Sequence, residues 1–206
     1  MKKTFASLAT ALALGLGSSQ ALALNCDADF TGGNATAPNG RYTVNEDLTI
    51  TDNDTGLMWM KCAAGKTGGD CLGNIVYGAD DEGIRILNWV EALQYAEQVN
   101  TTLVGTDANP SGDTDWRLPN AKELESLVER CRTNPAINTS IFTNNVPTSN
   151  ESARYWTSTP AFRPDAGQNE ADVPFQAWAI DFHSGNDWRE HKTGKTLYLR
   201  LVRTAD

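Results

Sequence analysis

Asp115-Trp116-Arg117-Leu118-Pro119-Asn120 decides the fold. Pro119 disfavours helical geometry at Leu118, so the stretch reads as extended chain that stops abruptly. Asn120 is a favoured helix cap, and Glu123 stands three positions on, the spacing of a reciprocal capping box. Leu124, Leu127, Val128 and Cys131 then recur at i, i+3, i+4 and i+7. This spacing predicts an amphipathic helix over 120–131 with the cysteine on its buried stripe. Arg117, flanked by Asp115, reads as an ion-pair anchor at the helix entrance.

Working outward, Asn88 and Glu91 repeat the capping grammar, and Trp89, Ala92, Leu93, Ala96 and Val99 share one face of an earlier helix. Further upstream, Tyr42, Val44, Leu48 and Ile50 alternate with polar residues before the turn Asp52-Asn53-Asp54-Thr55-Gly56. Leu57-Met58-Trp59-Met60 resumes the apolar run, so the region predicts a β-hairpin. Downstream, 133–172 is rich in Asn, Pro, Ser and Thr and reads as long ordered loop interrupted at Tyr155-Trp156. Trp178, Ile180 and Phe182 alternate as a strand, His183-Ser184-Gly185-Asn186 supplies a turn, and Leu197, Leu199 and Leu201 alternate again. Strands, two helices, loops and strands in that order argue α+β.

Lys2 and Lys3, an apolar run from Phe5 to Leu16 and the small residues closing on Ala21-Leu22-Ala23 have the form of a secretory leader cleaved after Ala23. The expected division is a leader over 1–23, an irregular segment over 24–41 and one domain over 42–206. No later segment is apolar over 18 residues, so no membrane span is expected. Without the leader, 15 Lys+Arg against 26 Asp+Glu leave a net charge of −11. That balance opposes nucleic acid and other polyanions as partners.

Four cysteines in an exported chain read as two disulfides. Three pairings are open. The pliable loop with Gly65, Gly68 and Gly69 favours Cys62 with Cys71, leaving Cys26 for Cys131. A zinc site lacks the paired spacings or histidines it needs.

No serine elbow, His-Glu-x-x-His helix or phosphate-binding glycine loop occurs, and no cofactor or metal motif is found. The acidic turn 52–56 lacks the distal glutamate of a calcium loop and reads as a hairpin turn. His183 and His191, with Asp181, Asp187 and Glu190 nearby, read as surface histidines in a polar loop, and leave a metal site or an enzyme of unrecognised acid–base chemistry conceivable if they converge. Of six tryptophans, five fall on expected strands, helices or their junctions and read as core; Trp188, between Asp187 and Arg189, reads as exposed. The candidate ligand-binding residues are therefore Trp188, His183, Asp187 and Arg189.

These motifs together carry a resemblance. Asp54-Thr55-Gly56-Leu57-Met58-Trp59, Trp89-x-x-Ala92, Asp115 to Asn120 with Glu123-Leu124, and Asn134-Pro135-Ala136-Ile137-Asn138 follow one another. Tyr155-Trp156-Thr157-Ser158-Thr159, Ala177-Trp178 and Leu201-Val202-Arg203 complete the series. Over about 42–203 the chain resembles the bacterial family of formerly unknown function named after the C-terminal domain of the Legionella collagen-like protein. That adhesin binds sulfated glycosaminoglycans; the acidic balance here argues against such a polyanion unless Arg189, Lys192 and Lys195 form a basic patch.

More distantly the chain is similar to C-type-lectin-like and formylglycine-generating-enzyme folds, whose C-terminal loops form the ligand surface. The enzyme chemistry needs a C-terminal cysteine pair, and the last cysteine is Cys131. The calcium-dependent lectin triplets are not matched either; Asn186-Asp187-Trp188 has the composition without the order. The resemblance implies a non-enzymatic bacterial domain, in the periplasm or at the cell surface, recognising a surface glycan or protein ligand through 162–195. An envelope structural or assembly protein, a homo-oligomer included, is the alternative from another class.

Overall fold

The computed structural model describes residues 35–74, 86–144, 153–162 and 175–206. The expected leader, Cys26 and most of segment 24–41 lie outside these residues. In chain order the elements are β1 (Tyr42–Val44), β2 (Thr49–Asp52), β3 (Leu57–Met60), β4 (Lys66–Thr67), β5 (Gly73–Asn74), α1 (Trp89–Thr101), α2 (Ala121–Glu125), β6 (Arg154–Pro160), β7 (Gln176–Asp181), β8 (Asn186–His191) and β9 (Val202–Thr204). The architecture is α+β, with antiparallel sheets ordered β1-β2-β3-β9, β4-β5 and β6-β7-β8. Among the described residues, no helix is long and apolar enough to cross a membrane.

The Asp115–Asn120 stretch is the hub that joins these parts. Asn100 of α1 donates through Nδ2 to the Trp116 carbonyl at 2.7 Å and accepts from the Trp116 N–H at 2.9 Å. Arg117 exchanges two backbone hydrogen bonds with Val202 of β9. The Pro119 carbonyl accepts from Ser158 of β6 at 2.7 Å, and Asn120 then caps α2. Trp116 and Leu118 are buried between these contacts. Burying an indole of 150–250 Å² contributes roughly 4–6 kcal/mol of transfer free energy, and Trp59, Trp116 and Trp156 are all fully buried.

Both capping boxes form as their residues require, Asn88 with Glu91 and Asn120 with Glu123. The second helix is nevertheless five residues long, and the expectation of helix to Cys131 is corrected. Beyond Glu125 the bonds tighten to i→i+3, with Leu127 N–H donating to Leu124 and Val128 to Glu125. Val128 then bridges to Ile137, and the Glu129 N–H donates to Ala136. The apolar stripe still buries Leu124, Leu127 and Val128, but through turns.

The expected hairpin is present as β2 and β3, with Ile50 opposite Trp59 across the 53–56 turn. The alternation over 42–50 breaks into two strands, because Leu48 adopts φ 62° and the Asp47 carboxylate accepts from both N–H and hydroxyl of Thr49. Asp52 turns inward, where its carboxylate accepts from Arg41 Nε at 2.7 Å and Nη2 at 2.5 Å.

Three further expectations need revision. Tyr155-Trp156 is the start of the seven-residue β6 rather than a break in a loop; much of the remaining loop reading falls on 145–152 and 163–174, outside the described residues. Leu197 and Tyr198 make only isolated bridges, and strand pairing resumes at β9. The polar stretch 186–191, expected as loop, is a strand with a complete register against β7.

Candidate functional site

β7 and β8 form a hairpin whose turn is anchored at its tip. The Asp181 carboxylate accepts from the backbone N–H groups of Ala153 and His183 at 2.9 Å and from the Ser184 hydroxyl at 3.2 Å. Gly185 sits at φ 79°, and a Cβ there would stand 3.0 Å from Val128 Cγ1 and 3.3 Å from Ala136 Cβ. Only glycine combines that conformation with that close approach. The carbonyls of Phe182 and His183 accept from Ala136 and Asn134, so the turn is docked against 134–137. His183 is thus half-buried in the anchored tip.

Past the tip, β8 emerges at the edge of its sheet with Asn186, Asp187 and Trp188 exposed. Side chains alternate across a strand, so Asn186, Trp188 and Glu190 share one face while Asp187, Arg189 and His191 share the other. The sequence candidates therefore divide: Trp188 faces away from Asp187 and Arg189, and His183 belongs to the turn. Arg189 lies over the Trp178 ring, 5.4 Å from its centroid, and His191 stacks on Phe175 at 6.0 Å.

Trp188 is joined instead by Arg154, which the sequence reading passed over, and by Glu190, which it weighed only as an acid–base group. The Arg154 guanidinium of β6 lies 4.0 Å from the Trp188 ring centroid, and its Nη1 donates to Glu190 Oε1. Glu190 is buried and Arg154 partly buried, while Trp188 remains 42 % exposed. One face of the indole is covered by a guanidinium that is itself held by a carboxylate, and the residue keeps that exposure nonetheless. The signal for Glu190 was the two-residue period counted from Trp188, hidden because that face carries no aliphatic residue. The Arg154 partnership depends on strand pairing 34 to 36 residues away and has no local signature.

The remaining candidates have structural placements. Arg117 forks onto Glu123 at 2.8 Å through both Nη atoms, and Asp115 pairs with Arg203 at 2.5 Å rather than with Arg117. The Glu123 carboxyl lies below the usual range, chiefly through Arg117. His183 and His191 lie at opposite ends of the hairpin, separated by about 16 Å or more of strand at about 3.3 Å per residue. They do not converge on Asp187 and Glu190, which face opposite sides of the sheet. Among the described residues, no cluster of three His, Cys, Asp or Glu side chains could hold a metal ion.

Cys62 and Cys71 form a disulfide. Cys131 is also disulfide-bonded, and among the described residues no cysteine is free; its expected partner, Cys26, lies outside them. The disulfide borders an apolar pocket walled by Leu48, Met60, Ala63, Tyr95 and Pro110, with Asp107 at its margin.

Residues 48–203 match the Lcl C-terminal domain, a span running from the start of β2 into β9. No curated protein matches the chain. The ordered motifs, from the β2–β3 turn through the capped α2 to Arg203 of β9, thus carry a recognised domain over most of the chain, which belongs to the Lcl C-terminal domain family.

Proposed function

We propose that the chain is an exported, non-enzymatic bacterial recognition domain that takes a carbohydrate or protein ligand on the β8 face carrying Trp188. The observation that carries this reading is a large aromatic side chain, 42 % exposed on a sheet edge, whose ring is held in place by Arg154. An exposed indole costs solubility and is enriched at recognition surfaces, where it offers apolar area with little rotamer entropy to lose. A solvent-facing tryptophan braced by a part-buried ion pair supports a binding role over leftover apolar surface.

Two helices, short antiparallel sheets and long connections support a C-type-lectin-like architecture, an argument from likeness of form. The leader-like residues 1–23 and the Cys62–Cys71 disulfide support an oxidising destination, the periplasm or the cell surface. The separation of His183 from His191 along the hairpin supports the non-enzymatic reading over an acid–base site built on those two histidines.

The test is binding of the purified, oxidised protein to arrays of glycans and bacterial or host surface proteins, with and without calcium, beside Trp188→Ala. A signal lost in the variant supports the reading. A blank on both arrays together with self-association at micromolar concentration would replace it with an assembly role.

A further inference from the structure

We infer that the Trp188 platform is built for an uncharged pyranose chain, with Arg154 and Glu190 as the positioning residues that fix its ring. This rests on the recognition reading above and narrows it to a ligand class. The argument begins with charge. Among the described residues, the charges packed with Trp188 on its face are one guanidinium and one carboxylate, paired to each other through Arg154 Nη1 and Glu190 Oε1, so the patch is locally neutral. The cations of the expected basic patch are spread over other rings: Arg189 lies over Trp178, and Lys192 Nζ is 4.6 Å from the Trp89 centroid. With a net charge of −9 on the whole chain, a polyanion meets a repulsive field and, among the described residues, no cation cluster at Trp188.

A cationic ligand is disfavoured for a different reason. The attraction of an indole for a cation comes from the negative potential of its faces. Arg154 already occupies one face at 4.0 Å and draws on the ring's π density, so a second cation on the other face gains less from it. The C–H face of a neutral sugar ring carries no such penalty and matches the flat apolar surface of an indole. Asn186, on the same face two residues away and solvent-exposed, presents an amide that both donates and accepts, which is what ring hydroxyls require. Flat stacking surface, adjacent neutral amide and cancelled charge together select an uncharged glycan.

The bracing follows from the same contacts. A free indole samples several rotamers, and ordering it on binding costs affinity. Arg154 stacked beneath the ring and tethered to Glu190 removes that freedom beforehand. Arg154 and Glu190 therefore act on the ligand through Trp188 rather than by touching it.

The test titrates the oxidised protein with cellohexaose, chitohexaose and maltohexaose, beside a heparin oligosaccharide, between about 50 and about 500 mM NaCl. The expected result is that a neutral hexasaccharide binds with an affinity that salt leaves within about twofold. Trp188→Ala should lose about tenfold or more, and Trp188→Phe should keep most of the affinity. Arg154→Met should weaken binding several-fold and diminish the near-ultraviolet circular dichroism of the tryptophans, while Arg154→Lys restores both; a purely structural role would move melting temperature in step with affinity. Heparin as the only ligand, or binding that falls steeply with salt, would overturn the neutral-glycan inference. A protein ligand that needs Trp188 would likewise overturn it while leaving the recognition reading standing. No binding to any glycan or surface protein would bring down both.

Discussion

Arg200 lies over the Phe142 ring with its guanidinium carbon 4.7 Å from the centroid, 1 % exposed and without a carboxylate partner among the described residues. Its Nη1 donates to the carbonyls of Met60 and Lys61 at 2.7 and 2.8 Å, tying the end of β3 to the chain before β9. Burial pushes this guanidinium down to about 10, still charged at neutral pH. A buried cation whose Nη1 meets two carbonyls while its buried Nε finds no hydrogen-bond partner among the described residues is a structural clamp with little energetic margin. Arg200→Ala is expected to cost about 3–5 kcal/mol, because it leaves a cavity and two unpaired carbonyls. Arg200→Met keeps the stem and removes the charge, and should cost about 1–2 kcal/mol by chemical denaturation. Equal losses for the two variants would show that the carbonyl bonds, not the packing, hold the site.

The Glu129 carboxylate is a second clamp, and it sets an acid limit. Burial alone would raise this carboxyl, but the N–H groups of Ala37, Thr36 and Cys131 and the Thr36 hydroxyl donate to it and hold it below the usual range. Asp52 behaves alike: burial raises it, and Arg41, Thr55 and the Asp54 N–H more than reverse that. A carboxyl depressed in the folded state adds stability that is complete above its unfolded value, near about 4, and is lost as pH falls through the folded value. Unfolding free energy should therefore show no loss from these groups between about pH 5 and 7 and fall below about pH 4. Glu129→Gln should shorten that acid limb and cost about 1–3 kcal/mol at neutral pH. An unchanged acid limb in the variant would remove Glu129 from this role.

The Cys62–Cys71 bridge closes a loop with a sequence separation of 9. In the chain-entropy picture it stabilises by about 2.5–3 kcal/mol. The double variant Cys62→Ser/Cys71→Ser should lose an amount of that size in denaturant. A loss below about 1 kcal/mol would mean that the paired β4–β5 ribbon holds the loop unaided.

Asn120→Ala removes the acceptor for the Glu123 N–H at the entrance of a helix only five residues long. The expected cost is about 1 kcal/mol. The same change at Asn88, which caps the thirteen-residue α1, should cost a similar amount, since cap energy is local. A cost several-fold larger at Asn120 would show that the Arg117–Glu123 fork depends on the cap.

The starts of both helices are legible in the sequence because capping is settled within four residues. The end of α2 is not. What diverts the chain after Ser126 is the Glu129 carboxylate turning back to Thr36 and Ala37, 93 and 92 residues earlier, where no local pattern reaches. Trp188 could be read as exposed from its polar neighbours, but its strand could not. β8 has no aliphatic face, since Arg154 and Glu190 fill the position that apolar residues usually mark. Arg117 was recognisable as an anchor and its partner was not, because Asp115 is nearer in sequence while Glu123 is nearer in space. Residues that meet across β6, β7 and β8 thus define the candidate site, and pairing over 34 to 36 residues is the kind of information a single sequence conveals least readily.

The most direct test of the Trp188 surface is a calorimetric titration of the strongest array ligand into the wild-type protein and into Trp188→Ala, with melting temperatures measured on both. The account expects a loss of about tenfold or more in affinity with a melting temperature within about 2 °C, because the side chain is exposed and contributes little to the core. Equal affinity in the two proteins would contradict it.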